Sequence, residues 1–262
     1  MKAPHWIETG RGERVLVFLH GISGGAAGAL DILPLLTPPG WRGLAWDMPG
    51  YGKSRQVEPV NFDSFAGALV DLFDAAGLEQ AVLVGHSMGG MIALQAAVRF
   101  PERISGLVLA CCTPAFGAPA GPLQQAFLAR RLGPLDEGAT MRELAVELIP
   151  TMVGPGADPV VVRDAVDLMG RIAPASYRAA MHALLGFDQR AALPGLALPA
   201  LVLAGRHDGV AAPAVLRRMA ASLPAATYLE IDAGHLLPYE EPAAFAAAVR
   251  EFLAGLDCMP VM

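Results

Sequence analysis

Cysteine is scarce in this chain: there are three in 262 residues, two of them adjacent at Cys111-Cys112. A small odd number argues against a disulfide framework and agrees with a reducing compartment. The pair ends the apolar run Leu107-Val108-Leu109-Ala110, so it reads as buried small hydrophobes rather than a reactive thiol. Long uninterrupted apolar runs are also missing. Apolar residues make up 54% of the chain, but much of this is alanine, and no stretch reaches the ~18 residues that a spanning helix needs. Alanine-rich segments such as 243–249 therefore read as helices, and no membrane association is expected. The start, Met1-Lys2-Ala3-Pro4-His5-Trp6, lacks the apolar core of a secretory signal, so a cytoplasmic location is expected. Positive charge is in deficit: the net charge is −6, the pI is about 5.5, and the densest basic points are Arg130-Arg131 and Arg217-Arg218. Nucleic acid is not an expected partner. No two histidines stand at i and i+4 beside a carboxylate, so no metal site is expected. Internal repeats and low-complexity tails are absent.

What the chain does contain is an alternation. Short apolar runs at 15–19, 43–46, 81–84, 107–110, 201–204 and 227–231 read as strands, mostly continuous as in a parallel sheet covered on both faces. Helical patterns lie between them, at about 29–36, 62–76, 88–100, 213–223 and 242–256. Pro213 and Pro242 fall where a first-turn proline is tolerated, and Pro101 stops the third helix. Strand and helix alternating in this way predict an α/β fold, a mostly parallel twisted sheet with helices on both faces. Residues 113–190 interrupt the alternation. They open with a Pro/Gly/Ala-rich linker at 113–122 and continue as helical patterns at about 123–132, 141–149, 159–169 and 175–185. The predicted organisation is a core domain from 1–112 and 191–262 with a helical lid, 113–190, inserted over a site.

The chemistry centres on Gly85-His86-Ser87-Met88-Gly89, between the apolar run Ala81-Val82-Leu83-Val84 and a helix-like run from Gly90. The pattern reads as a strand turning sharply into a helix with serine at the corner. Its hydroxyl is held out over the helix N-terminus, where a developing anion is favoured. A serine needs a base to take its proton, and the base needs an orienting acid. His235, in Asp232-Ala233-Gly234-His235, follows the last predicted strand and is the candidate base. Asp208, in Gly205-Arg206-His207-Asp208-Gly209, follows the strand before and is the candidate acid, with Asp232 as its rival. The oxyanion requires backbone donors. Met88, directly after the serine, supplies one, and Ile22 in His20-Gly21-Ile22-Ser23 supplies the second, each worth about 3 kcal/mol in a transition state. Among the other histidines, His20 is expected to prop the oxyanion loop, His86 to point away from the serine hydroxyl, His207 and His182 to be loop and surface residues, and His5 to be solvated.

His20-Gly21, Asp47-Met48-Pro49-Gly50-Tyr51-Gly52-Lys53-Ser54, Gly85 to Gly90, Gly205 to Asp208 and Gly234-His235 together resemble the α/β-hydrolase fold superfamily. The resemblance runs from about Val15 to Leu253. It implies Ser87 as nucleophile, His235 as base, Asp208 as acid, and Ile22 and Met88 as oxyanion amides. It also places the helical lid after the sixth strand of that family's sheet. Within the superfamily the chain is most similar to 3-oxoadipate enol-lactonase and small bacterial carboxylesterases. Serine at the elbow sets it apart from members that carry aspartate there, and His20-Gly21-Ile22-Ser23 differs from a His-Gly-Gly-Gly oxyanion loop. Leu236 follows His235 where the C–C bond hydrolases usually place tryptophan. The expected activity is hydrolysis of a small, mainly apolar ester or lactone through an acyl-enzyme, with no cofactor. The lid offers Phe116, Met152, Met169, Tyr177, Met181 and Phe187 to the pocket, and few charges. C–C bond hydrolysis with Arg190 as a polar aid, acyl transfer, peracid formation and a receptor role are the alternatives on the same triad. The pattern is compatible with a monomer or a homo-oligomer. Asp47 to Ser54 reads as a structural loop beside the pocket mouth.

Overall fold

The computed structural model describes residues 3–117 and 121–257; residues 118–120 of the expected linker and Cys258 lie outside the described residues. Seven strands form one sheet: β1 (Trp6–Gly10), β2 (Arg14–Leu19), β3 (Trp41–Trp46), β4 (Ala81–His86), β5 (Ile104–Ala110), β6 (Ala200–Gly205) and β7 (Ala226–Ile231). Their spatial order is β1-β3-β2-β4-β5-β6-β7. All neighbours run parallel except β1, which pairs antiparallel with β3. Six of these strands follow the apolar runs. The first, β1, escapes them because it is an edge strand whose residues are half-buried or exposed, so it carries no continuous apolar signal.

Side chains alternate across the sheet with period two, and the core divides accordingly. Val15, Val17 and Leu19 of β2 join Trp46, Leu83 and Leu109 in one apolar layer, under α2 (Phe62–Ala76), α3 (Met88–Arg99) and α8 (Pro213–Ser222). Leu16 and Phe18 face the other way, with Val84, Val108 and Leu203, and meet α1 (Ile32–Leu36) and α10 (Pro242–Asp257) through Leu33, Phe245 and Val249. Helix ends follow the local chemistry. Asn61 caps α2 by accepting from the Ser64 amide at 2.8 Å, and Gly77 ends it at φ +70°.

Between β5 and β6 stand α4 (Pro122–Asp136), α5 (Met141–Leu148), α6 (Pro159–Met169) and α7 (Pro174–Ala183). The two ends of this helical segment pair with each other. Ala115 bridges Asp188, the Phe116 amide donates to Phe187 O at 3.0 Å, and the Gln189 amide donates to Pro114 O at 2.8 Å. The segment adds its apolar side chains to the layer that holds α2 and α3, through Leu132, Leu144, Met169 and Met181. A short helix, α9 (Leu237–Glu240), precedes α10. No helix of the described residues is long and apolar enough to cross a membrane. The loops that follow β2, β4, β6 and β7 leave the carboxyl edge of the sheet together, where open α/β sheets form their crevice.

Candidate active site

Ser87 directly follows β4 and stands at the N-cap position of α3 with φ +53° and ψ −121°, a conformation that side-chain-bearing residues rarely adopt. The turn is tight because the helix starts against the neighbouring strand. A Cβ on Gly89 would stand 2.0 Å from the Leu19 carbonyl oxygen, and one on Gly85 would stand 2.5 Å from the Gly90 Cα. The Ser87 amide donates to Ala110 O at 2.8 Å, which extends the β4–β5 ladder through the corner. The glycine spacing seen in the sequence is thus a packing requirement.

Three side chains from three loops meet at this corner. His235 Nε2 lies 2.9 Å from Ser87 Oγ, and His235 Nδ1 lies 2.8 Å from Asp208 Oδ2. Asp208 is itself held: its Oδ1 accepts from the amides of Val210 at 2.7 Å and Ala211 at 2.8 Å. Burial pushes the Asp208 carboxyl up, but the His235 ring and the bonds from His235, Ala211 and Val210 outweigh it and hold the group below its ordinary value. The rival acid, Asp232, is elsewhere occupied. It accepts from His207 Nε2 at 2.8 Å and pairs with Arg206 at 3.2 Å, with 68% of its side chain exposed. Cys111 Sγ lies within 4.8 Å of ligand atoms of Asp208 and His235. Burial, then the Asp208 charge, pushes the Cys111 thiol well up.

The His235 loop is fastened from two sides. His86 Nε2 donates to His235 O at 2.7 Å, and its other ring nitrogen is buried with no hydrogen-bond partner among the described residues. From the helical segment, Met152 O accepts from the His235 amide at 2.7 Å. Glu240 Oε2 accepts from both Gly154 N at 2.6 Å and Gly234 N at 2.9 Å. A Cβ on Gly234 would come within 2.4 Å of Gly154 N, so glycine is what permits this closeness. The segment expected to be a lid is therefore bound to the His235 loop through its backbone.

His86 gives a pH prediction. Burial, then repulsion from His235, lowers its pKa from 6.5 to about 3. The folded protein keeps this ring neutral, while the unfolded chain binds a proton below about pH 6.5. Stability is then full above that pH and falls as the solution is acidified toward 3, by about 3 kcal/mol at pH 4. Urea unfolding at pH 7 and pH 4 should show the wild type losing that much more than His86→Gln, which has a donor but no titration. Equal losses in both proteins would contradict the assignment.

The loop expected to carry an oxyanion donor, His20 to Ser23, follows β2. Neither the Ile22 amide nor the Met88 amide donates to any group among the described residues, and both residues line the cavity described below. The Met48 amide donates to His20 Nε2 at 3.0 Å, which leaves the proton on Nδ1 for the Gly21 carbonyl at 2.8 Å. His20 props the loop as expected. Burial keeps it neutral by lowering its pKa. Behind it, Asp47 accepts from Ala26 N at 2.8 Å, Lys53 N at 3.0 Å and His5 Nδ1 at 2.8 Å. One correction follows: His5 is bound to Asp47 instead of solvated. Asp47 to Ser54 is a structural loop behind His20 to Ser23, and none of its residues lines the cavity.

Comparison with known proteins meets this geometry. A family model described as alpha/beta hydrolase fold matches residues 14–147. A pimeloyl-[acyl-carrier protein] methyl ester esterase of Photobacterium profundum is 30% identical over 257 residues, covering 95% of this chain and 97% of that protein. The chain belongs to the α/β-hydrolase family. Among solved structures, the enol-lactonase from Burkholderia xenovorans LB400 superposes with a TM-score of 0.83 at 27% identity, covering 95% of this chain and 96% of that one. A thermophilic esterase from Thermogutta terrifontis, solved with malate bound, gives 0.81 at 27% identity, over 96% and 93%.

In this hydrolase the serine opens onto a cavity of about 750 Å³, which also touches His235, Ile22 and Met88. The volume suits a small-molecule ligand. Phe116, Met152, Met169, Tyr177 and Met181 line it, as the sequence suggests. Phe187 does not. Its ring packs on Phe62 with centroids 4.4 Å apart, because the backbone pairing of 187 with 116 turns it into the core. Arg190 reaches the cavity but is engaged by Asp188 through Nε at 2.9 Å and Nη2 at 2.5 Å. The side chain that the C–C bond alternative would call on is thus already paired. The expectation of few charges also fails at Arg131, which lines the cavity at 7% exposure. A signal for it existed. Residues 124, 131, 132 and 135 are buried and 127 and 128 half-buried, which gives α4 an inward face at helical spacing, and Arg131 sits in that stripe.

Proposed function

We propose that the protein is a serine hydrolase that cleaves a small carboxylic ester or lactone through an acyl-enzyme on Ser87. The observation that carries this reading is the continuous relay from Ser87 Oγ to His235 at 2.9 Å and from His235 to Asp208 at 2.8 Å. His235 takes the hydroxyl proton as Ser87 Oγ attacks the carbonyl carbon. The carbonyl oxygen becomes an oxyanion against the Ile22 and Met88 amides, which are rigidly placed and need no reorganisation. Collapse expels the alkoxide, which takes the proton from His235, and the acyl group stays on Ser87. Water, deprotonated by the same imidazole, then attacks the acyl carbon and frees the acid and the serine. In a lactone the leaving alkoxide remains tethered to the acyl group, and the steps are unchanged.

The described residues of 113–190 act in this reading as a fixed roof over the cavity, their backbone ties to the His235 loop holding roof and base in register. Relatives named for a methyl ester and for an enol-lactone support the choice of bond. The test is a panel of p-nitrophenyl esters of increasing acyl length with a few lactones, together with a serine-trapping phosphonate. Turnover is expected on short esters, with the phosphonate mass found on the peptide that contains Ser87. Turnover with no such adduct, or an adduct elsewhere, would overturn the reading.

A further inference from the structure

The helical segment places an unpaired positive charge on a cavity whose walls are mostly apolar. Arg131 is 7% exposed, yet makes no ion pair or hydrogen bond among the described residues. Its guanidinium carbon lies 3.6 Å from the centroid of the Phe127 ring, one helical turn back, and this stacking is its visible anchor. On the lining of the same cavity, the Tyr177 hydroxyl is buried and makes no hydrogen bond among the described residues. Burial pushes the Tyr177 phenol up to about 12 against the pull of Arg131, so Tyr177 stays a neutral donor. Arg190 and Arg218 reach the same cavity, whereas no Asp or Glu lines it among the described residues.

A guanidinium withdrawn from water without a counter-charge is costly, and its five fixed donors match a carboxylate in a fork. The Tyr177 hydroxyl is a second donor among the residues that line the same cavity. Both lie on the helical segment, α4 and α7, and share one cavity with the Ser87 corner. We infer that Arg131 and Tyr177 form a carboxylate-binding subsite, and that the substrate is a small ester or lactone bearing a second, free carboxylate. This rests on the esterase reading for the bond cleaved, but the subsite itself does not. The carboxylate would pair with Arg131 while the uncharged ester end reaches Ser87. This also explains why an arginine interrupts the apolar stripe of α4.

The experiment compares monomethyl and dimethyl esters of the four- to eight-carbon dicarboxylic acids, which differ at the distal end only by charge and one methyl. The wild type is expected to prefer the monomethyl ester at the best chain length by about 30-fold or more in kcat/KM, mostly through KM, as one forked charged pair allows. In Arg131→Gln that ratio should fall below about threefold. Arg131→Lys, which keeps a point charge without the fork, should fall between, and Tyr177→Phe should reduce the ratio about threefold. Melting temperatures establish that each variant is folded. Equal or better turnover of the dimethyl esters by the wild type, with Ser87 still labelled by phosphonate, would sink the subsite and leave the esterase standing. If no ester is turned over and no adduct forms, the esterase reading falls instead. Calorimetry with the free dicarboxylates then decides the subsite alone. Binding that weakens at least tenfold in Arg131→Gln supports it, and no binding, or equal binding by both proteins, overturns it.

Discussion

Ser87→Ala is expected to lower kcat/KM toward a p-nitrophenyl ester by about five orders of magnitude while the protein stays folded. The hydroxyl is the only atom removed, and His235 loses the group whose proton it would take at 2.9 Å. Water cannot substitute well, because the backbone holds Ser87 at φ +53° to aim its Oγ at the bound carbonyl, and a water has no such anchor. Some acceleration over solution should survive, since the Ile22 and Met88 amides, the proposed oxyanion donors, are untouched and the cavity walls are unchanged. Stability should change little, because alanine keeps the Cβ and therefore the same backbone strain. Unfolding free energy within about 1 kcal/mol of the wild type is the expected control. A variant retaining more than a tenth of the wild-type rate would mean that the acyl group never resides on this residue.

The parts of the molecule legible in the chain are those where chemistry is local. Continuous apolar runs mark β2, β4, β5 and β6 because these strands are covered on both faces. The serine corner is readable because its glycines answer to a contact within one strand–turn–helix unit. Asp208 and His235 are readable because each follows a legible strand on the same sheet edge. What the chain does not disclose depends on pairing between distant segments. The antiparallel edge strand β1 is set by hydrogen bonding to β3, and the embrace of His5 and Asp47 depends on that pairing. The inward turn of Phe187 comes from its backbone bond with Phe116. The Met152 and Glu240 ties to the His235 loop involve main-chain groups that every residue carries, so side-chain patterns are blind to them. Arg131 is a different case. Its place in the stripe of α4 is visible by helical spacing, and only the habit of counting apolar residues hides it.

Asp208→Asn should lower kcat by about four orders of magnitude with little change in KM, through the tautomer of a neighbouring ring. The carboxylate faces three donors: two amides, from Val210 and Ala211, on Oδ1 and the His235 Nδ1 proton on Oδ2. An asparagine keeps its amide oxygen toward the two backbone donors, since turning it around would set its NH₂ against both of them. The NH₂ then points at His235 Nδ1, which must become an acceptor. The ring proton moves to Nε2, so the nitrogen facing Ser87 Oγ now carries a hydrogen and cannot take another. Substrate binding, which rests on cavity walls that Asp208 does not line, is left largely intact. Asp232→Asn is the matching control. Its carboxylate is 68% exposed and serves His207 and Arg206, so rates within about twofold of wild type are expected. Reversal of the two outcomes would transfer the orienting role to the other loop. Near-wild-type rates in both would mean that His235 is aligned without a carboxylate, by the backbone ties from His86 and Met152 alone.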